Sequence, residues 1–470
     1  MEGKVKIQMQ RWVYTILMVT IGFSVTAHAQ ETEATRRLLE QNKEFVPEIY
    51  RIEEKVWFAV GHDVSNVAMI EGETGIILID AGMSPVRMEA LRSRFREITK
   101  KPIKGIIITH GHGDHFGGIQ AFLAEGSNPE IWGRRAALGD NTGFNIEANA
   151  GKEAGLTYTN VRGARQAGII LPDSIHINNG VAARPDKQRT MFTRAKETAA
   201  FEPTHFLTEE RKQIEIDGVK FELVAATGET YDNMYVWMPE QKILFCGDSY
   251  YKSFPNLYTI RGSQYRDVQS WYQSIEKMLS EGAEYLLPGH TRPVIGKEEV
   301  QATLSNYHDA IKFVFDKTIE GINEGMTPDQ LVEYVKLPED LASLPYLTEY
   351  YGRVDWAVRS IFNGYLGWFD GNPVTLNKLS PKAEATKIAT MAGGEDKLRA
   401  NALEAFDSGD FQWAVQAFDY LLALNENDQE IIRLKAAALM EIAETMVNAT
   451  ARNYINSYAI QLKERLKESD

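Results

Sequence analysis

The segment Thr109-His110-Gly111-His112-Gly113-Asp114-His115 places three imidazoles and a carboxylate within six residues, directly after the apolar run Ile106-Ile107-Ile108. Neutral imidazole combined with carboxylate suits zinc and related divalent ions, and a strand ending in a Gly-spaced turn can aim several such side chains into one small volume. A lone histidine is explained by exposure or by a core hydrogen bond. Three of the chain's nine histidines packed around one aspartate point instead to a metal site, and to two ions. Further ligands must then come from the ends of later strands. Three candidates share one layout, an apolar strand, a glycine and a donor side chain: Glu229 in Ala226-Thr227-Gly228-Glu229, Asp248 in Phe245-Cys246-Gly247-Asp248, and His290 in Leu287-Pro288-Gly289-His290. One such acid is usually a solvated turn residue, whereas three in this order after the histidine cluster form a coherent set. His205 and His308 read as structural or exposed, while His62 and His176 fall in loops near the expected entrance.

The elements that position these residues follow from hydrophobic periodicity. Val67 to Asp80 reads as two short strands around a Gly-centred turn, and Pro85 to Lys100 carries Val86, Met88, Leu91, Phe95 and Ile98 at helical spacing. A strand from Ile106 to Thr109 follows, which gives a βαβ layout with the chemistry at the strand's carboxyl end. The pattern returns in strands near Phe221 to Ala226, Met234 to Met238 and Ile243 to Phe245, a helix from Val268 to Leu279 and a strand from Glu284 to Leu287. Two related halves of sheet plus helices are therefore expected. Residues 139–203 lack a clear period and read as an insertion that covers the site. From Lys297 the pattern is helical, with breaks around Pro328, Pro338 and Pro345. Leu398 to Leu424 resembles a tetratricopeptide-like hairpin, and a second hairpin spans roughly Asp428 to Leu466. So few repeats cannot bury their faces alone, so they must pack on the catalytic part or on another subunit.

Composition narrows the partners. A net charge of -14 disfavours nucleic acid, because phosphate neutralisation needs basic surface. The lone Cys246 excludes an internal disulfide. Lys4, Lys6 and Arg11 precede an apolar run from Trp12 to Val25 and then Ala27-His28-Ala29, which reads as a signal peptide over 1–29. The run is too short for a comfortable membrane span, so the expected location is secreted or periplasmic.

The histidine cluster with its later strand-end ligands resembles the metallo-β-lactamase superfamily. Asn256-Leu257-Tyr258-Thr259-Ile260-Arg261-Gly262 and Leu366-Gly367-Trp368-Phe369-Asp370-Gly371-Asn372-Pro373 look like signatures of its alkyl sulfatase branch, and the segment from about Gly409 to Leu466 is similar to that branch's dimerisation domain. The resemblance implies an α/β fold, an αββα sandwich followed by an all-α helical dimerisation domain. The boundaries expected are a catalytic domain over 30–305 and a helical domain over 306–470. It also implies that His110, His112 and Glu229 hold one metal, that Asp114, His115 and His290 hold the second, and that Asp248 bridges. Asp80 would orient a ligand histidine, and Arg261 would contact the sulfate group. Together with Asp114, Arg261 is the residue expected to take part in catalysis.

The implied function is hydrolysis of an alkyl sulfate to alcohol and sulfate by a water activated between two divalent ions, zinc first among them, in a homodimer. The alternatives are a hydrolase of another ester, lactone, phosphodiester or β-lactam, and a non-catalytic metal-binding assembly protein. Three departures from the branch stand out. Asp248 replaces the usual Glu, Arg165 and Ala167 occupy positions where tyrosines are usual, and the C-terminal lipid-binding-like domain of typical members has no counterpart in these 470 residues. For protonation of the leaving group, a metal-bound water, Tyr231, Tyr250 and Tyr258 all remain open.

Overall fold

A computed structural model describes residues 31–467, except 124–127, 139–140, 146–150, 152 and 185–201. The signal peptide expected over 1–29 lies outside the described residues, as does part of the insertion. The first sheet has seven strands in the order Glu48–Glu53, Val56–Val60, Val67–Glu71, Ile76–Ile79, Ile103–Ile107, Glu130–Arg134 and His205–Leu207. Its first four strands are antiparallel, and from Ile76–Ile79 onward the pairing is parallel. The second sheet has six, in the order Arg211–Ile216, Val219–Ala225, Met234–Met238, Ile243–Gly247, Tyr285–Pro288 and Val294–Ile295.

Side-chain alternation in these strands builds the layers. Successive residues of a strand point to opposite faces, so a strand buried on both sides feeds two cores. Met234, Val236 and Met238 face the core between the sheets, while Tyr235 and Trp237 face the helices outside the second sheet. In the first sheet Ile77, Ile79 and Ile107 meet that same inter-sheet core, and Leu78 and Ile106 pack instead with Met88, Leu91 and Phe95 of the helix Pro85–Ile98. Each such fully buried side chain contributes roughly 1.5–3 kcal/mol. The result is helix, sheet, sheet, helix, the αββα sandwich expected. Both expected helices form with recognisable caps. Ser84 accepts from the Arg87 N–H ahead of Pro85 at the first turn, and Asp267 accepts from the Ser270 N–H at the start of Val268–Glu281.

Two features add to the reading of the sequence. The boundary at 305 falls inside the 27-residue helix Lys297–Asn323, whose Val300, Leu304, Tyr307, Ile311 and Val314 share one core with the second sheet. Val354, Val358 and Ile361 of the helix Val354–Leu366 join that core too, so the catalytic and helical parts are fused well past the expected limit. The insertion, whose sequence shows no clear period, has regular structure among its described residues. It contains the short strand Asn141–Gly143, which pairs with Ala136–Leu138 just before it, and the helix Tyr158–Gln166, which the Gly-containing sequence Tyr158-Thr159-Asn160-Val161-Arg162-Gly163 conceals because glycine weakens a helical signal. The two hairpins read from the sequence do form, as Glu395–Asp407 with Phe411–Leu424 and Gln429–Glu444 with Ala449–Lys467. No helix among the described residues is long and apolar enough to cross a membrane.

Candidate metal centre

The seven candidate ligands converge because four strands end beside one another. Ile103–Ile107 leads into the histidine cluster, Val219–Ala225 into Glu229, Ile243–Gly247 into Asp248, and Tyr285–Pro288 into His290. Asp80, at the end of Ile76–Ile79, ties down both ends of the cluster. Its Oδ1 accepts from the Thr109 N–H (2.8 Å), and its Oδ2 lies 2.9 Å from Thr109 Oγ1 and 2.8 Å from His115 Nδ1. His290 is oriented likewise, with Nδ1 2.9 Å from the Val64 carbonyl oxygen. In both imidazoles this leaves Nε2 as the nitrogen that faces the site, the arrangement in which a hydrogen bond behind a ligand fixes its tautomer and direction. Glycine is required where the segments meet most closely. A Cβ on Gly289 would lie 2.3 Å from Asp248 Oδ1 and 2.7 Å from His115 Cε1.

The donor atoms fall into two groups, His110, His112, Glu229 and Asp248 in one and Asp114, His115 and His290 in the other, with the ligand atoms of each group within 4.8 Å of one another. Asp248 stands between them. Its Oδ2 is 3.7 Å from His110 Nε2 and 3.2 Å from His290 Nε2, and its Oδ1 is 3.4 Å from His115 Nε2. His290 Nε2 is also 3.4 Å from Asp114 Oδ2. The fit to divalent ions rests on two facing atoms: His115 Nε2 and Asp248 Oδ1 are both buried and neither has a hydrogen-bond partner. Unpaired buried polar atoms are costly, and a cation between donors of this kind satisfies them.

The electrostatics agree. Burial, with the neighbouring imidazoles His115 and His110 respectively, holds His110 and His112 well below the ordinary histidine value, so they are neutral donors. Burial acts in the same direction on His290, yet the carboxylates of Asp248 and Asp114 outweigh it and lift His290 to about 9. His115 is raised for the same reason, by Asp248, Asp80 and Asp114. Burial lifts Glu229 to about 8, against the pull of the adjacent Arg266 guanidinium. The site thus stabilises positive charge at its carboxylate-rich side, and protons occupy positions that a metal ion would displace.

Arg261 lies beside this group. Burial and the Arg266 charge lower its pKa, while Tyr351, Glu229 and Asp114 act in the opposite sense. Arg266 itself donates to Glu229 Oε1 and to the Asn256 carbonyl oxygen, and it was invisible in the sequence because nothing in its spacing distinguishes it from a surface arginine. Tyr351 was missed too. It sits before the helix Val354–Leu366, where burial and then the Glu229 carboxylate push its hydroxyl up, and Arg266, Arg261 and Asp114 also act on it. Asn448 Nδ2 donates to the carbonyls of Glu349, Tyr351 and Gly352 and so fixes this loop.

Among the tyrosines considered as proton donors, Tyr250 is excluded. It is fully buried, stacked edge-on against Tyr307 in the helix-side core, with its hydroxyl unpartnered there. The Tyr231 hydroxyl donates to the Tyr265 carbonyl (3.3 Å), and Tyr258 is half-buried. His176 is buried, with Nε2 3.1 Å from the Asn178 carbonyl oxygen, while His205 stacks on Trp132 and His308 pairs with Glu276 and Asp309. None of the three joins the ligand group.

Asp63 supports His290 indirectly, from the position before Val64. Its Oδ2 accepts the Met83 and Ser84 N–H groups (2.8 and 2.7 Å), and burial raises its carboxyl to about 7 against those hydrogen bonds. An acid whose folded-state value is raised binds its proton more tightly in the fold, so stability falls as pH rises from about 4 through about 7. Asp63→Asn should remove this slope. Urea unfolding should then find the variant unchanged at pH 4 and more stable than the parent at pH 8, by up to about 4 kcal/mol.

Comparison with known proteins gives two family matches: residues 60–290 match the metallo-beta-lactamase superfamily and residues 327–465 match the alkyl sulfatase dimerisation family. A linear primary-alkylsulfatase of Pseudomonas sp. is 32% identical over 405 residues, covering 85% of this chain and 74% of its own. An (R)-specific secondary-alkylsulfatase of Pseudomonas sp. is 28% identical, covering 89% of this chain, which spans only 62% of that relative's length. Among solved structures, the stereoselective inverting sec-alkylsulfatase Pisa1 from Pseudomonas sp. superposes with a TM-score of 0.81 at 26% identity, over 92% of this chain and 67% of that one.

Proposed function

The chain belongs to the alkylsulfatases of the metallo-beta-lactamase superfamily, and from that premise we propose that it hydrolyses alkyl sulfate esters to alcohol and sulfate. The observation that carries this reading is the pair of facing, unpartnered atoms His115 Nε2 and Asp248 Oδ1 within the ligand set, with Arg261 beside it. His110, His112 and Glu229 would hold one divalent ion, Asp114, His115 and His290 a second, and Asp248 would bridge, with zinc the ion that suits the donors best. Such ions, when bound, supply Lewis acidity and bring the pKa of water down towards about 7.

The chain's own residues do the rest. Asp80 and the Val64 carbonyl keep His115 and His290 directed at the site. Arg261 presents a planar fork suited to a sulfate oxyanion, and the Tyr351 hydroxyl is near enough to feel the charges of Glu229, Arg266 and Arg261. The Asp248 carboxylate is the shorter counterpart of the Glu usual in the branch. The basic and then apolar N-terminal segment supports a secreted or periplasmic location.

The test is metal analysis coupled to a hydrolysis screen. Two ions per chain and cleavage of a linear alkyl sulfate are expected, with His112→Ala inactive. Protein with its metals restored that cleaves a lactone, β-lactam or phosphodiester and no sulfate ester would overturn the substrate.

A homodimer is part of the same reading. Trp368 (75% exposed), Val374 (77%), Leu366, Leu376 and Leu379 form an apolar stretch that a second copy would cover. Sedimentation at micromolar concentration should give a dimer for the parent and a monomer for Trp368→Glu, and a monomeric parent would refute the assembly.

A further inference from the structure

The helix Tyr158–Gln166 of the insertion grips the loop that carries Arg261. Gln166 Oε1 accepts both the Arg261 main-chain N–H and the Thr259 hydroxyl, each at 2.9 Å, and Arg162 Nη2 donates to the Ile260 carbonyl (2.5 Å). A backbone N–H can only donate, so the amide oxygen is the atom that faces it, and the orientation of Gln166 is fixed. One turn earlier, a Cβ on Gly163 would lie 3.9 Å from Arg261 Cδ, so the arginine's stem passes close to this face of the helix. Among the described residues the Arg261 guanidinium has only a local hydrogen bond of its own, Nη1 to the Gly262 carbonyl (3.2 Å), and forms no ion pair. Its direction therefore depends on where the loop backbone is held.

The same helix is anchored from behind. Arg165 Nε donates to Gln461 Oε1 (2.9 Å), and the guanidinium sits over the rings of Tyr454 and Tyr458 at 5.6 and 5.2 Å. Ser457 Oγ donates to the Arg165 carbonyl (3.4 Å). All four partners lie on the C-terminal helix Ala449–Lys467. Arg165, one of the departures from the branch, thus clamps the insertion to the end of the helical region, and the neighbouring Gln166 carries that placement to Arg261.

We infer that Gln166 is a positioning residue, which sets the affinity for the substrate's anionic head by holding the Arg261 loop against the anchored insertion helix. The inference rests on the reading of Arg261 as the sulfate contact. Guanidinium–oxyanion bonds are directional, so a displacement of a fraction of an ångström costs affinity without disturbing the metal ligands.

The experiment measures competitive inhibition by inorganic sulfate, KM for a linear alkyl sulfate, metal content and melting temperature for Gln166→Met, Arg261→Ala and the double variant. Methionine keeps the volume and removes the acceptor. Gln166→Met should raise both Ki and KM about tenfold with parental metal content, and Arg261→Ala should raise them about a hundredfold. The double variant should be no worse than Arg261→Ala, because the two losses share one cause. A parental Ki in Gln166→Met alongside a raised Ki in Arg261→Ala overturns the positioning role and leaves the sulfate contact standing. A parental Ki in Arg261→Ala overturns the sulfate contact, and the positioning role with it. Losses that multiply in the double variant also overturn the inference, since they mark a general structural effect. Should Gln166→Met fail to fold, Thr259→Val removes the second partner of the same oxygen. It should raise Ki about threefold, and a parental value would overturn the inference.

Discussion

Asp248→Ala is expected to abolish sulfate ester hydrolysis, a loss of at least about 10³-fold, larger than the roughly 10–100-fold that follows when a group merely supporting a ligand is removed. The reason lies in its position: one carboxylate approaches His110, His115 and His290 at 3.7, 3.4 and 3.2 Å, so its removal weakens both halves of the ligand set together. Metal analysis should show fewer than two ions per chain, whereas a variant that retained both ions and the parental rate would refute the bridging role. Asp248→Glu is the informative companion. It restores the acid usual in the branch, but Gly289 packs so closely on Asp248 that an added methylene must displace the His290 segment. Partial activity is expected, well below that of the parent.

Arg266→Met should produce the largest loss of stability, and one that depends on both pH and metal. Arg266 and Glu229 are both buried and directly paired, and removing one member of such a pair costs about 3–5 kcal/mol. Burial lifts Glu229 to about 8 even with Arg266 beside it, and loss of Arg266 lifts it further, so with metal removed the cost is expected to be small at pH 6, where Glu229 is protonated in parent and variant alike, and to grow as the pH rises above about 8. Divalent metal should shrink the loss at pH 9, because the ion replaces the missing positive charge. Urea unfolding with and without a chelator distinguishes these cases, and a loss independent of pH and metal would show that packing alone is at stake.

The ligand set was legible because its signal is local. Glycine after an apolar strand, then His, Asp or Glu, marks each strand end, and the double-sided strands such as Met234–Met238 announce a two-sheet core by their unbroken hydrophobicity. What escaped was set by contacts distant in sequence. Arg266 pairs with Glu229 across 37 residues, and Asn448 reaches the Tyr351 loop across 97. Neither residue type nor spacing encodes such a meeting. Tyr250 shows the opposite failure. It follows Asp248 by two residues, yet its side chain enters the helix-side core and not the site.

The anchoring of the insertion by Ala449–Lys467 also bears on when the site becomes competent as the chain is made. All seven candidate ligands have left the ribosome once residue 290 is out, long before Asn448, Tyr454 and Gln461, the residues that hold the Tyr351 loop and the insertion helix. At about 5–20 residues per second the interval lasts on the order of ten seconds. A nascent chain in that interval carries the candidate ligands without the residues that anchor the Tyr351 loop and the insertion helix, so the surroundings of Arg261 are completed only when almost all of the sequence has been synthesised.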